Sequence, residues 1–68
     1  MNGTVKSFDP AKGFGFIKPH EGGHDVFVHI TAVQRAGLAP LFKGQRLTFE
    51  TMPDQKGRGL QAINLKAL

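Results

Sequence analysis

Apolar and polar residues alternate with a period of two in short runs along this chain, and most runs are closed by Gly or Pro. A period of two marks half-buried strands, because successive side chains of a strand point to opposite faces. Five such runs predict strands over residues 3–8, 14–18, 25–30, 45–51 and 58–65. Asp9-Pro10 closes the first, Pro19 the second and Pro53 the fourth, which is entered through Lys43-Gly44. His20-Glu21-Gly22-Gly23-His24 and Asp54-Gln55-Lys56-Gly57 read as hairpin loops. Residues 31–42 break the pattern. Thr31 is placed to cap one helical turn through Arg35, ended by Gly37, which leaves a long third-to-fourth connection. A meander, a long crossover and a closing hairpin predict an all-β fold, a five-stranded antiparallel OB-type Greek-key barrel. An SH3-like barrel has a similar strand count and stays open as the alternative. At 68 residues, with no repeat or linker, residues 1–68 are expected to form a single domain.

The alternation also assigns faces. In the third strand Val26, Val28 and Ile30 share one side, and Asp25, Phe27 and His29 the other. The aliphatic side belongs in the core, because burying the opposite side would bury a carboxylate without a partner. Phe27 is then expected to face outward. In the second strand Phe14, Phe16 and Lys18 share a face, with Lys12 just before them, and Gly15 and Ile17 lie opposite. Pairing the two strands merges Phe14, Phe16, Phe27 and His29 into one outward patch, rimmed by Lys12, Lys18 and Asp25. Contiguous exposed rings usually mark a binding surface, and rings edged by ammonium groups suit stacked bases and their phosphates. Leu47 and Phe49 in the fourth strand, and Ile63 and Leu65 in the fifth, are expected inside. In the first strand Lys6 and Phe8 share a face unless a bulge shifts the register. Phe8 then either extends the patch or closes the barrel end.

Charge and composition narrow the partner. The net charge is +4, with nine Lys and Arg against five Asp and Glu. The excess falls after residue 25, where Arg35, Lys43, Arg46, Lys56, Arg58 and Lys66 outnumber Glu50 and Asp54. A small basic domain is a candidate for polyanions, although solubilising surface charge accounts for such a balance equally well. There is no Cys, which excludes disulfides and Cys-based zinc sites. Apolar runs fall far short of the ~18 residues of a membrane span, so no membrane partner is expected. The opening residues carry no apolar signal core, and the cytoplasm is the expected compartment.

Two strings carry a family resemblance. Lys12-Gly13-Phe14-Gly15-Phe16-Ile17, followed by Val26-Phe27-Val28-His29-Ile30, resembles the paired ribonucleoprotein motifs of the cold-shock domain. Gly3-Thr4-Val5-Lys6 is similar to that family's opening, Gly44-Gln45-Arg46-Leu47-Thr48-Phe49 to its fourth strand, and Gln61-Ala62-Ile63-Asn64-Leu65 to its close. The RNA-recognition motif shares the Lys-Gly-Phe-Gly-Phe string but places it late, after a helix. The resemblance implies an OB-type barrel that binds single-stranded RNA or DNA, often pyrimidine-rich, and acts as a nucleic-acid chaperone or regulator of transcription or translation, in cold or other stress. By position it implies contacts from Lys6, Phe8, Lys12, Phe14, Phe16, Asp25, Phe27, His29 and Arg58. Rings would stack, Lys6, Lys12 and Arg58 would meet phosphates or base edges, and Asp25 would accept from a base or orient a neighbour. The chain departs from the family at Ser7, where Trp is usual, at Ile30, where Phe is usual, and at Leu38, where an aromatic is usual. This peripheral platform is weakened, and each lost stack removes ~1–3 kcal/mol. Leu60 stands where the family often has Pro.

Other chemistry is thin. His20 and His24 flank Glu21 around a Gly-Gly turn, with His29 apart on a strand, a poor geometry for a metal. Neither Ser7 nor Thr31 has a His–acid pair, so no nucleophile is argued. The expectation is a binding protein rather than an enzyme, without cofactor or metal. A monomer is expected, with a strand-exchanged dimer as the alternative. From other functional classes, a barrel binding a peptide through its Phe patch and a ribosome-associated OB protein remain as alternatives.

Overall fold

The computed structural model describes residues 1–57 and 59–68. In chain order the elements are β1 (Asn2–Asp9), β2 (Phe14–Pro19), β3 (Val26–His29), α1 (Ile30–Arg35), β4 (Arg46–Pro53) and β5 (Leu60–Ala67). The strands close into a barrel in the order β1-β2-β3-β5-β4. Each element lies within two residues of its sequence-predicted span, and the architecture is the OB-type barrel read from the pattern. Four of the junctions are antiparallel, and β3 meets β5 in parallel at Phe27 and Gln61. Parity requires this. An odd number of strands closed into a ring cannot alternate direction at every junction.

The interior holds Val5, Ile17, Val26, Val28, Val33, Leu41, Leu47, Phe49, Ala62 and Leu65. The valines of β3 therefore point inward, as the alternation predicts, and Phe49 is core. α1 contributes Val33 to this cluster. Its N-cap is His29, whose side chain accepts from the backbone N–H of Thr31. The cap thus falls two residues before the expected Thr31. The far end is set by Gly37 at φ 72°. There the N–H of Gly37 donates to the Gln34 carbonyl at 3.0 Å and that of Leu38 to the Val33 carbonyl at 3.1 Å. This is the Schellman arrangement, for which a left-handed Gly is the usual residue.

Two bulges turn faces over. In β1 the pairs run Val5 with Ile17, then Ser7 with Phe16, so Lys6 is the extra residue. In β5 Ile63 opposes Glu50 and Lys66 opposes Thr48, so Asn64 and Leu65 together face Phe49. Asn64 takes the left-handed conformation, φ 51°, which Asn tolerates better than most residues. Beyond a bulge the inward and outward positions exchange. Ala62 and Leu65, three apart, are consequently both buried, while Ile63 is only half-buried. The expectation of Ile63 and Leu65 as the inward pair is corrected accordingly.

Candidate nucleic-acid interface

The outer face of β2 and β3 carries the rings. Cross-strand pairs in register share a face, and the register sets Phe14 opposite His29 and Phe16 opposite Phe27. The Phe14 and Phe27 rings stack with centroids 5.6 Å apart at 30°. Phe16 stands edge-on to both, 6.3 Å from Phe14 and 6.0 Å from Phe27. His29 lies 6.3 Å from Phe27, tilted by 40°. Offset and edge-to-face contacts of this kind favour a fixed arrangement over a loose one.

The four rings are unequally open. His29 is exposed, and Phe14 and Phe16 are half-buried. Phe27 is only 2% exposed. The expectation that Phe27 faces water is therefore corrected. It lies on the predicted outer side of β3, but Phe14, Phe16 and His29 crowd around it, so it forms the floor of the patch.

Phe8 is placed by the bulge. The bulge at Lys6 turns Phe8 opposite Gly15, on the inward side, where it packs against the core. Gly15 admits this close approach of β1, since a β-carbon there would collide with the Ser7 carbonyl oxygen and lie 2.7 Å from both Cα and Cδ1 of Phe8. Of the two readings left open, the register and the packing of half-buried Phe8 against the core favour closure of the barrel end. The same bulge brings Ser7 outward beside Phe16. Ser7 is exposed, so a hydroxyl borders the patch at this position. Ile30 is half-buried at the start of α1, its N–H bonded to the Gly13 carbonyl at 2.8 Å. Leu38 packs against the core.

The charged rim is built from loops and the bulge. Lys6 Nζ donates to Asp25 Oδ2 at 2.9 Å, so these two expected contact residues form one unit. Lys12 is exposed on the β1–β2 loop. That loop is fixed by Asp9, whose Oδ1 accepts from Ala11 N at 2.9 Å and Lys12 N at 3.3 Å. The Thr31 N–H donates to His29 Nδ1 at 3.2 Å. Nδ1 also lies 3.0 Å from Thr31 Oγ1, so both side-chain contacts of the cap use this nitrogen. Lys12, Phe14 and His29 line a groove with Asp54, Gln55, Lys56 and Gln61. The β4–β5 loop thus forms the far bank of the patch. Arg58 lies outside the described residues.

Gln61 is not among the predicted site residues, and Lys56 enters only within a basic loop that reads either as a phosphate contact or as a hairpin turn. Lys56 carried a signal in its basic Gly-rich loop. Gln61 carried none, because its place beside Phe27 follows from the parallel β3–β5 junction. His20 is tied to Thr4, with Nε2 2.9 Å from Oγ1. Among the described residues, no group of three or more His, Asp or Glu is arranged to hold a metal ion, and no helix is long and apolar enough to cross a membrane.

A profile of the "cold-shock" DNA-binding domain matches residues 1–68. The chain is 54% identical over 65 residues to a probable cold shock protein, y4cH, of Sinorhizobium fredii, covering 96% of this chain and 94% of that one. It is 50% identical over 66 residues to cold shock protein CspA of Rhizobium meliloti, covering 97% and 96%. It is 47% identical over 68 residues to cold shock-like protein CspC of Shigella flexneri, covering 100% and 96%.

Proposed function

Because the chain belongs to the cold-shock DNA-binding domain family, we propose that it binds single-stranded RNA or DNA and keeps it unpaired, as a chaperone or regulator acting in the cytoplasm. Bases lie against Phe14, Phe16 and His29. Phe27 supports those rings from beneath. Lys12 and Lys56 meet phosphates from opposite banks of the groove, and Arg58 is a further phosphate contact by its position in the family's sequence pattern. Asp25 holds the Lys6 amine at the patch edge for a phosphate or base edge. The family's ring at position 7 is missing, so the site is shorter or weaker than a full platform, and pyrimidine-rich strands are the expected ligands. No chemical step is asked of any residue.

One observation carries the reading. Three half-open or open rings are packed into a fixed array around a buried fourth, and cations border them. The test is titration with oligothymidine and oligouridine of graded length at several salt concentrations. With three or four phosphates neutralised, log K falls against log salt with a slope of about −2 to −3. A flat dependence on salt would favour the peptide-binding alternative and overturn this one.

A further inference from the structure

Three exposed cations lie along the outer wall of the barrel from β2, across β1 and β4, to β5. Thr4 is paired with Lys18 on one side and with Arg46 on the other. One row along, Thr48 lies between Asn2 and Lys66. Paired residues share a face, as do residues two apart along a strand. Lys18, Arg46 and Lys66 therefore project from one surface, and all are exposed. Among the described residues none of them is in an ion pair, whereas Lys6 of the ring patch is paired with Asp25. The next outward acid on β4, Glu50, accepts a hydrogen bond from Asn64 Nδ2 at 2.7 Å.

This band adjoins the ring patch. β2 carries Phe14, Phe16 and Lys18 at alternate positions on its outer face. From Phe16 to Lys18 is about 7 Å along the strand, and from Lys18 to Arg46 about 10 Å across two strand spacings. The band holds no Phe; its one ring is His20, whose Nε2 lies 2.9 Å from Thr4 Oγ1. It offers mainly charge, with the hydroxyl of Thr48, which suits phosphates better than bases.

We propose that the Lys18–Arg46–Lys66 band is a second contact surface for the sugar–phosphate backbone of the same single strand, taken up by the nucleotides that run past the rings at the Lys18 end. This rests on the ring-patch reading above. The band makes long strands bind more tightly than short ones, without reading their sequence.

The test compares oligothymidines of about 6 and about 16 nucleotides, spanning the usual range for such barrels, on the parent protein, the double variant Arg46→Gln/Lys66→Gln and Phe16→Ala. Urea unfolding of each variant confirms that it folds. The double variant is expected to bind the short oligomer as the parent does, and to bind the long one several-fold more weakly at low salt. Its salt slope for the long oligomer becomes shallower by about 1.4, for two phosphates lost. Phe16→Ala weakens both lengths. Long-oligomer curves that coincide for parent and double variant, or an equal loss at both lengths, would overturn the band and leave the ring patch standing. A parent protein that binds neither oligomer would overturn the ring patch, and the band with it.

Discussion

Phe16 and Phe27 face each other across two strands, yet they do different work. Phe16 is half-open, whereas Phe27 is buried beneath its neighbours. Phe16→Ala removes a stacking surface and is expected to weaken oligonucleotide binding by ~1–3 kcal/mol, with little change in the urea midpoint. Phe27→Ala empties the floor and is expected to lower stability by about 3 kcal/mol, so affinity falls only as the rings above it lose their positions. Paired unfolding and binding curves separate the two. Ser7→Trp tests the rim, since position 7 lies outward beside Phe16. The added ring should raise affinity by up to ~1–3 kcal/mol and supply a fluorophore that bound bases quench. Unchanged affinity would show that the patch ends at Phe16. Alternation alone set Phe14, Phe16, Phe27 and His29 on one face. The burial of Phe27 was not legible, because it depends on how three other rings pack, and period-two reasoning describes direction and not crowding.

Elements show where periodicity loses its grip. A bulge adds one residue without leaving a mark on composition, so Ile63 keeps its apparent face in the sequence and loses it in the barrel, and Phe8 stays undecided until the pairing is known. Alternation places Gly15 on the inner face, but what it admits, the Ser7 carbonyl and Phe8, is identified only by the pairing. Likewise Thr31 has the chemistry of an N-cap, but β3 runs on to His29, which takes that role. His29 therefore serves two elements, as the cap of α1 and as a ring of the patch. Substitutions can divide these duties. His29→Ala is expected to lose the cap, at about 1 kcal/mol, together with the stack. His29→Asn restores a side-chain acceptor at the cap and recovers most of that stability, while affinity stays low. If His29→Asn binds as well as the parent, the ring contributes nothing to recognition.

At the scale of the whole molecule, one charge distribution acts on two equilibria in opposite senses. The folded chain carries +4 on 68 residues, and its unpaired cations repel one another across the β1–β4 wall. At ~10 mM salt the screening length is ~30 Å, wider than that wall, and at ~0.15 M it is ~8 Å. Adding salt is therefore expected to raise the melting temperature of the free protein by a few degrees. The bound state responds the other way. A strand present at about 100 times its Kd adds about 2.7 kcal/mol, worth roughly 10–20 °C for a domain of this size. Counterion release then weakens binding as salt rises, and that increment shrinks. Melting curves with and without oligothymidine, taken from low to high salt, should converge, the free curve climbing while the ligand-bound curve falls. A peptide held by apolar contact would keep its increment across the same range, because salt does not weaken apolar burial. Parallel curves would thus remove phosphate contact from the account of this surface, and converging curves tie the ligand's backbone to the same cations that strain the free fold.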